Sequence, residues 1–467
     1  MASRSTRRSF LKASAGVAAG GYFIGGELSG RAAQSPSERI RIAGIGVGGK
    51  GDSDISHAGM FGDVVAICDI DEGTLGNKAK QFPKAKKYFD FRKMFEEMGS
   101  SIDAVTVSTP DHTHACAASQ ALRMGKHVYC QKPLTYTVKE ARTLRDLANE
   151  KKLCTQMGNQ GTAHSGLRTG VEIIRSGVIG DVTELHVWTN RPVWPQSPTI
   201  TKRPPEIPIP ASIHWDEFIG PAPYRPFGGE KNARGRYTYH PFNWRGWWDF
   251  GTGALGDMGC HTANMAFMAL KLGYPTKVSA ENEAINPETY PAWAHVVLDY
   301  PEREGLPPVK FHWYEGKLNG KKVLPPQELL SKVLRENEKG PVDSGSIVVG
   351  TKGILYSPND YGADFRLCPE KDYEGFKKPE QFLPRHKGGD IDANQKEEWI
   401  TAIKKNDPKL ALSNFNYAAV LTESLLLGNV AIKLGKPFEY DGATMSIKGD
   451  SAANALLHRE YRAGWNL

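Results

Sequence analysis

From residue 39 onward the chain alternates short apolar runs with segments of mixed polarity. Residues 40–46, 64–69, 104–108 and 128–131 are apolar nearly throughout and too short to be helices. Residues 52–60, 72–81, 115–124 and 138–151 read as the helices that follow them. Strands apolar on both faces, each followed by a helix, predict a parallel sheet covered on both sides. Beyond residue 158 the pattern gives a helix, a Gly-punctuated turn and a strand, and then periodicity fails. Residues 190–250 are Pro-rich and aromatic, and hold six of the ten tryptophans when Trp188 is counted with them. Residues 379–467 read mainly as helices closing the fold, with Trp399 and Trp465 as packing residues. The expected division is therefore a first α/β domain over 38–155 and an α+β domain over 156–467 that carries the aromatic insert.

The first 32 residues break this pattern. "TRRSFLK" (Thr6 to Lys12) precedes a weakly apolar, Gly- and Ala-rich run of about 14 residues, too short to span a bilayer, and small residues follow up to Ala32. A basic start, an apolar middle and a small-residue exit predict a twin-arginine signal peptide over 1–32 and a periplasmic protein. No Cys sits at the cleavage point, so no stable membrane anchor is expected. Of the formal charge of +7, this segment holds +4. The remainder is too small to argue for nucleic acid, and the basic run at 77–87 reads as a solvated helix face. The six cysteines show no metal spacing, and no metal site is expected. Cys68, Cys116, Cys130 and Cys154 read as small buried hydrophobes, although an oxidising compartment leaves disulfides open.

The turn after the first strand reads Gly44-x-Gly46-x-Gly48-Gly49. Gly44 suits a tight turn, Gly46 a close backbone approach to a pyrophosphate, and Gly49 a closely packed helix. The phosphates would meet amide N–H groups at a helix N-terminus. Asp69 lies 20 residues after Gly49 at the end of the second strand. There its carboxylate accepts from a ribose 2′-OH and repels a 2′-phosphate, which points to NAD rather than NADP.

Two more stretches, "STPDHTHACAASQALRMGKHVYCQKPL" (108 to 134) and "WDFGTGALGDMGCHTANMAF" (248 to 267), complete a pattern that resembles the glucose–fructose oxidoreductase / inositol dehydrogenase / MocA (Gfo/Idh/MocA) family. The resemblance runs from about residue 39 to the end, including a helix near 421–434 followed by "GKPFEYDG". It implies a Rossmann-type dinucleotide-binding domain followed by an α+β domain with a large open mixed sheet, whose open face helps to build the active site. The family's Glu-Lys-Pro tripeptide reads Gln131-Lys132-Pro133 here, and its Asp and His four apart match Asp257 and His261. The resemblance places Lys132 beside the nicotinamide and Thr109-Pro110 at a cofactor-contacting turn.

Residues at i and i+4 share a helix face, so Asp257 and His261 can enter one cleft. His261 has an ordinary pKa, about 6.5, near working pH and suits proton transfer. Lys132 can hold a developing alkoxide, and Asp257 either the substrate hydroxyl or the imidazole; which group takes the proton stays open. The bland alternative makes Asp257 a helix cap and His261 a satisfied core residue. Gln131 lacks the family's carboxylate, which should ease deprotonation of Lys132 and puts its cofactor contact in question. His112 and His114 read equally as cofactor contacts and as capping or surface residues. The insert's indoles, with Arg, Asn and His among them, read either as a sugar platform or as packing.

These readings converge on an exported, homo-oligomeric (dimeric or tetrameric) oxidoreductase that moves a hydride between NAD and a secondary hydroxyl of a carbohydrate or cyclic polyol. The periplasm offers no nicotinamide pool, so a tightly held, recycled cofactor is expected. The alternative is a redox-assisted glycoside hydrolase or lyase using NAD catalytically.

Overall fold

The computed structural model describes residues 39–467; the expected signal peptide lies outside the described residues. Strands β1 (Arg41–Ile45), β2 (Asp63–Cys68), β3 (Lys86–Tyr88), β4 (Ala104–Val107), β5 (His127–Cys130) and β6 (Thr155–Met157) form a parallel sheet in the order β3-β2-β1-β4-β5-β6. Helices α1 (Lys50–Gly59), α2 (Glu72–Gln81), α3 (Phe91–Met98), α4 (Asp111–Arg123) and α5 (Val138–Glu150) connect them. The chain leaves β1 toward β2 on one side and resumes at β4 on the other. That reversal opens a crevice at the strand ends, the usual ligand position in such sheets.

Each predicted strand and helix of this half is present within a few residues. The unpredicted elements are β3, α3 and β6. The lysine-rich run is only partly a solvated helix face: Pro83 stops the helix, and the sequel forms edge strand β3. Lys78, 4% exposed, donates to Ser56 Oγ at 2.9 Å and Gln81 Oε1 at 2.7 Å. The expected boundary at 155 also fails, because it cuts β6, whose Thr155–Met157 pairs with Val128–Cys130.

The second half begins with α6 (Ser165–Arg175) and β7 (Val182–Trp188). Its sheet runs β14 (Arg366–Cys368), β13 (Ile354–Ser357), β12 (Gly345–Gly350), β7, β10 (Val309–Leu318), β9 (Trp293–Tyr300), β8 (Lys277–Asn282), β15 (Phe438–Asp441), β16 (Ser446–Ile447), and the short β11 (Lys321–Lys322) pairs with β10. Only the β7–β10 pair is parallel. The remaining helices are α7 (Trp215–Ile219), α8 (Gly253–Thr262), α9 (Asn264–Ala269), α10 (Gln327–Ser331), α11 (Ile391–Lys405), α12 (Phe415–Leu434) and α13 (Ser451–Ala455). Helix α12 is apolar almost all round and packs between α5, α8 and strands β8 and β9, as an all-apolar helix must. Helix α8, which carries Asp257 and His261, lies on this same helix-covered face of the sheet. The opposite, open face carries His186, His295 and His312 and does not build the site, contrary to what the resemblance implied.

Helix α11 returns from far along the chain to the first half and packs on α1. Trp399 is fully buried against Tyr129, with ring centroids 5.8 Å apart, beside Ile42, Ile55 and Ile67. Truncating a buried Trp of this kind costs about 3–5 kcal/mol. Lys396 is fully buried and meets the equally buried Asp54 of α1 at 2.6 Å. The parallel sheet therefore draws part of its core and one side of a buried ion pair from residues 391–405. All six cysteines are buried free thiols, so no disulfide ties either half.

Candidate functional site

Turn 46–49 sets one end of the cavity. Gly46 has φ +74°, and a Cβ there would lie 2.7 Å from the Ser108 carbonyl oxygen. Gly49 has φ +54°, is the N-cap of α1, and leaves that helix start without a side-chain cap. The roles expected of the glycines shift by one step. Gly44 sits inside β1 and makes room for Val47 and Ile55, so it packs the helix rather than the turn. The close approach to the turn belongs to Gly51, whose Cβ would meet the Gly46 oxygen at 1.9 Å. Asp69 accepts from Val47 N at 2.8 Å and Asp71 N at 3.0 Å, which aims its carboxylate across the turn. Burial raises its pKa, against the two amide donors.

From this turn one cavity of about 690 Å³ continues past Thr109, Pro110, Gln131 and Lys132 to Asp257 and His261. Lys132 Nζ donates to Asp257 Oδ1 and to the Asp257 carbonyl oxygen, both at 2.8 Å. Arg245 Nε donates to the same Oδ1 at 3.0 Å. Burial opposes the charge on Asp257, but Lys132 and Arg245 outweigh it and hold the carboxyl well below the ordinary range. Asp257 is mid-helix in α8 and caps nothing, and its bonds go to cations rather than to the imidazole. His261, one turn further, is 4% exposed, stands edge-on to Tyr361 at 4.9 Å, and has no partner for Nδ1 among the described residues. Burial first, and Lys132 second, push its pKa well below the ordinary value, so the ring is neutral at working pH.

Gln131 answers its own question. Its Nε2 donates to Asp54 Oδ2 at 2.8 Å, where Ser108 Oγ also donates at 2.8 Å, and its Oε1 accepts from Lys132 N at 3.3 Å. Beside the buried Asp54–Lys396 pair an amide fits and a second carboxylate would not. The charge missing from position 131 stands at Asp54.

Other expectations need correction. His112 does not reach the cavity: it is fully buried, with Nε2 2.8 Å from the Phe218 carbonyl oxygen, and ties α4 to the insert. His114 is equally buried and bridges the carbonyls of Thr109 and Pro133 at 2.8 and 2.9 Å. Neither is a cap or a surface residue. The insert is mostly its own small core, in which Trp215, Phe218, Tyr239, Trp247 and Phe250 pack together. All six of its tryptophans are buried, and of them Trp244 is on the cavity wall, together with Phe242. The insert also grips the ribose end of the cleft. Ser212 O accepts from Glu72 N at 2.9 Å, His214 N donates to Ile70 O at 2.9 Å, and His240 Nε2 stands 3.3 Å from Asp71 Oδ2. Residues missed by sequence reasoning are Lys50, Gln160, Arg191, Arg236, Arg245 and Tyr361, all on the cavity wall. They come from five separate loops and helix ends, and no local spacing joins them.

Residues 39–159 match the oxidoreductase family with an NAD-binding Rossmann fold, and residues 172–305 match the C-terminal alpha/beta domain of the same oxidoreductase family. The chain belongs to the Gfo/Idh/MocA family. An uncharacterised oxidoreductase of Schizosaccharomyces pombe is 34% identical over 110 residues, covering 24% of this chain and 29% of that protein. A glycosyl hydrolase family 109 protein of Akkermansia muciniphila is 28% identical over 221 residues, covering 38% and 46%. The chain thus spans less than half the length of these curated relatives. The structure of an inositol dehydrogenase homologue from Azotobacter vinelandii, complexed with NADH and myo-inositol, superposes with a TM-score of 0.55 at 17% identity, covering 86% of this chain and 98% of that one. The residues present fit the family's cofactor. A turn too tight for Cβ at Gly46, an uncapped helix start and a carboxylate at the β2 end are what pyrophosphate and ribose require.

Proposed function

We propose that this chain is an exported NAD-dependent oxidoreductase acting on a secondary hydroxyl of a carbohydrate or cyclic polyol. The observation that carries the reading is the Lys132–Asp257 contact at 2.8 Å beside a neutral His261, on the wall of the cavity that begins at the glycine turn. NAD, when bound, supplies the hydride acceptor. Asp69 selects its ribose, and Gly46–Gly49 with the start of α1 hold its phosphates. Asp257, whose Oδ1 is taken up by Lys132 and Arg245, serves to orient Lys132. The Lys132 ammonium stabilises charge growing on the substrate oxygen. His261, neutral and carrying an unpartnered nitrogen, takes the hydroxyl proton. The insert contacts at Asp71 and Glu72 support slow cofactor release, as a compartment without a nicotinamide pool demands.

The family 109 glycosyl hydrolase name of one relative favours a second reading, in which the hydride returns to the same sugar after glycoside cleavage. The test is to purify the mature protein, assay it without added cofactor, and follow NADH and products. Sugar conversion by protein carrying its own dinucleotide supports the proposal. Aryl glycoside cleavage without net NADH moves it to the second reading. A protein that purifies empty and needs stoichiometric soluble NAD refutes the recycled cofactor.

A further inference from the structure

The far end of the cavity carries an excess of positive charge. Its wall carries Lys132, Arg191, Arg236 and Arg245 around the carboxylate of Asp257. Lys132 and Arg245 are both spent on that carboxylate, at 2.8 and 3.0 Å. Arg191 and Arg236 are half-buried, and among the described residues neither has a carboxylate within ion-pair distance. Arg236 lies over the Phe242 ring at 4.1 Å, and Arg245 lies against the same ring at 4.6 Å. One aromatic ring on the cavity wall thus contacts both guanidinium groups. Arg191 NH1 donates to Asn190 Oδ1, and the nearby acid Asp343 is taken up by Lys322 and Asn190. Gln160, on the same wall and 8% exposed, has no partner for its buried Oε1 among the described residues.

Arg191 and Arg236 stand on the wall of one partly desolvated cavity, and neither is bonded to a carboxylate of the described residues, so both can receive an anionic ligand. Guanidinium forks match the oxygens of carboxylate and phosphate, and such charge-assisted bonds are about twice as strong as neutral ones. A neutral sugar ring would leave both groups unanswered.

We infer that the substrate of this site is an anionic sugar, bearing a carboxylate or phosphate that Arg191 and Arg236 bind while its neutral hydroxyls face Lys132, Gln160 and His261. The inference rests on the sugar reading above and narrows it. The shared chemistry is an oxyanion on a pyranose-sized ring, and the two sources are separable by experiment.

Holo-protein is titrated calorimetrically with D-glucuronate, D-glucose 6-phosphate and D-glucose at low salt, and the same sugars are assayed for NADH formation. At least one anion should bind about 10-fold or more tightly than glucose, a difference of about 1.4 kcal/mol. The stronger of the two anions identifies the oxyanion. Arg191→Gln and Arg236→Gln should each bring the anion-to-glucose affinity ratio toward one, with NADH binding and thermal unfolding unchanged as proof of folding. Glucose binding as tightly as both anions, with NADH formed, overturns the anion inference and leaves the oxidoreductase reading standing. Binding of none of the three overturns both.

Discussion

Replacing Gln131 by Glu restores the family's residue, yet it should damage this protein. The new carboxylate would stand about 2.8 Å from Asp54 Oδ2, where Gln131 Nε2 now donates. Two unit charges at that separation repel by about 6 kcal/mol at an effective dielectric near 20. Taking up a proton is the cheaper escape. Holding a carboxyl of ordinary pKa, about 4.3, protonated at pH 7 costs about 3.7 kcal/mol, and at pH 5 only about 1 kcal/mol. Gln131→Glu should therefore lose about 4 kcal/mol at pH 7 and about 1 kcal/mol at pH 5. Adding Asp54→Asn moves the single carboxylate to position 131, still close to Lys396, and should recover most of the loss. Asp54→Asn alone leaves Lys396 buried without its partner and should cost about 3–5 kcal/mol. The double variant is then more stable than either single one. Urea unfolding at both pH values, followed by tryptophan fluorescence, measures all four proteins. An equal loss at pH 5 and pH 7, or additive effects of the two substitutions, would refute the charge argument.

Asp69→Ala should weaken NAD and narrow or reverse its advantage over NADP in titrations of the apo-protein, whereas tighter NADP binding by the unsubstituted protein would sink the assignment. Lys132→Ala and His261→Ala should each lower turnover by about 10²–10⁴-fold with NAD affinity nearly intact, and near-normal turnover on a confirmed substrate would remove them from the chemistry. Glu315 is fully buried, and burial raises its pKa from 4.5 to about 7, against the bond from Trp313 Nε1 at 2.6 Å. Below pH 4.5 both folded and unfolded chains carry the proton; between 4.5 and 7 only the folded one does, so stability falls as pH rises through that window, by up to about 3 kcal/mol. Glu315→Gln should flatten that slope in melts between pH 4 and pH 8, and an unchanged slope would refute it.

What the sequence made legible was local. Helix α2 begins and ends at Glu72 and Gln81, as expected, because Asp71 caps it and Phe82-Pro83 ends it. The glycine turn and Asp69 announce themselves by short spacings on elements whose periodicity is clear, and Lys132, Asp257 and His261 by the resemblance to the family's Glu-Lys-Pro and Asp/His pattern. Strands β3 and β6 escaped because three residues show no periodicity, and β3 is an edge strand with two exposed lysines. The significance of Gln131 was closed to sequence reasoning because it depends on a pair, Asp54 and Lys396, separated by 342 residues. The arginines of the cavity were hidden for the same reason. The insert's composition left sugar platform and packing open; its indoles are mostly consumed in holding a long irregular segment together, and Trp244 also reaches the cavity wall.

The return of α11 has a consequence for how the chain must be made. A ribosome delivers residues 41–157 long before 391–405, so the emerging sheet lacks Trp399 in its core and Lys396 beside Asp54. During that interval Asp54 is a carboxylate facing an apolar interior with only Ser108, Gln131 and the half-exposed Lys50 to answer it. The nucleotide-binding half is thus a post-translational product, finished only when nearly the whole polypeptide has been released. A stalled or truncated chain would keep its glycine turn yet lack Trp399 in the core beneath it and Lys396 beside Asp54, and a fragment cut at the apparent domain boundary would lack both as well.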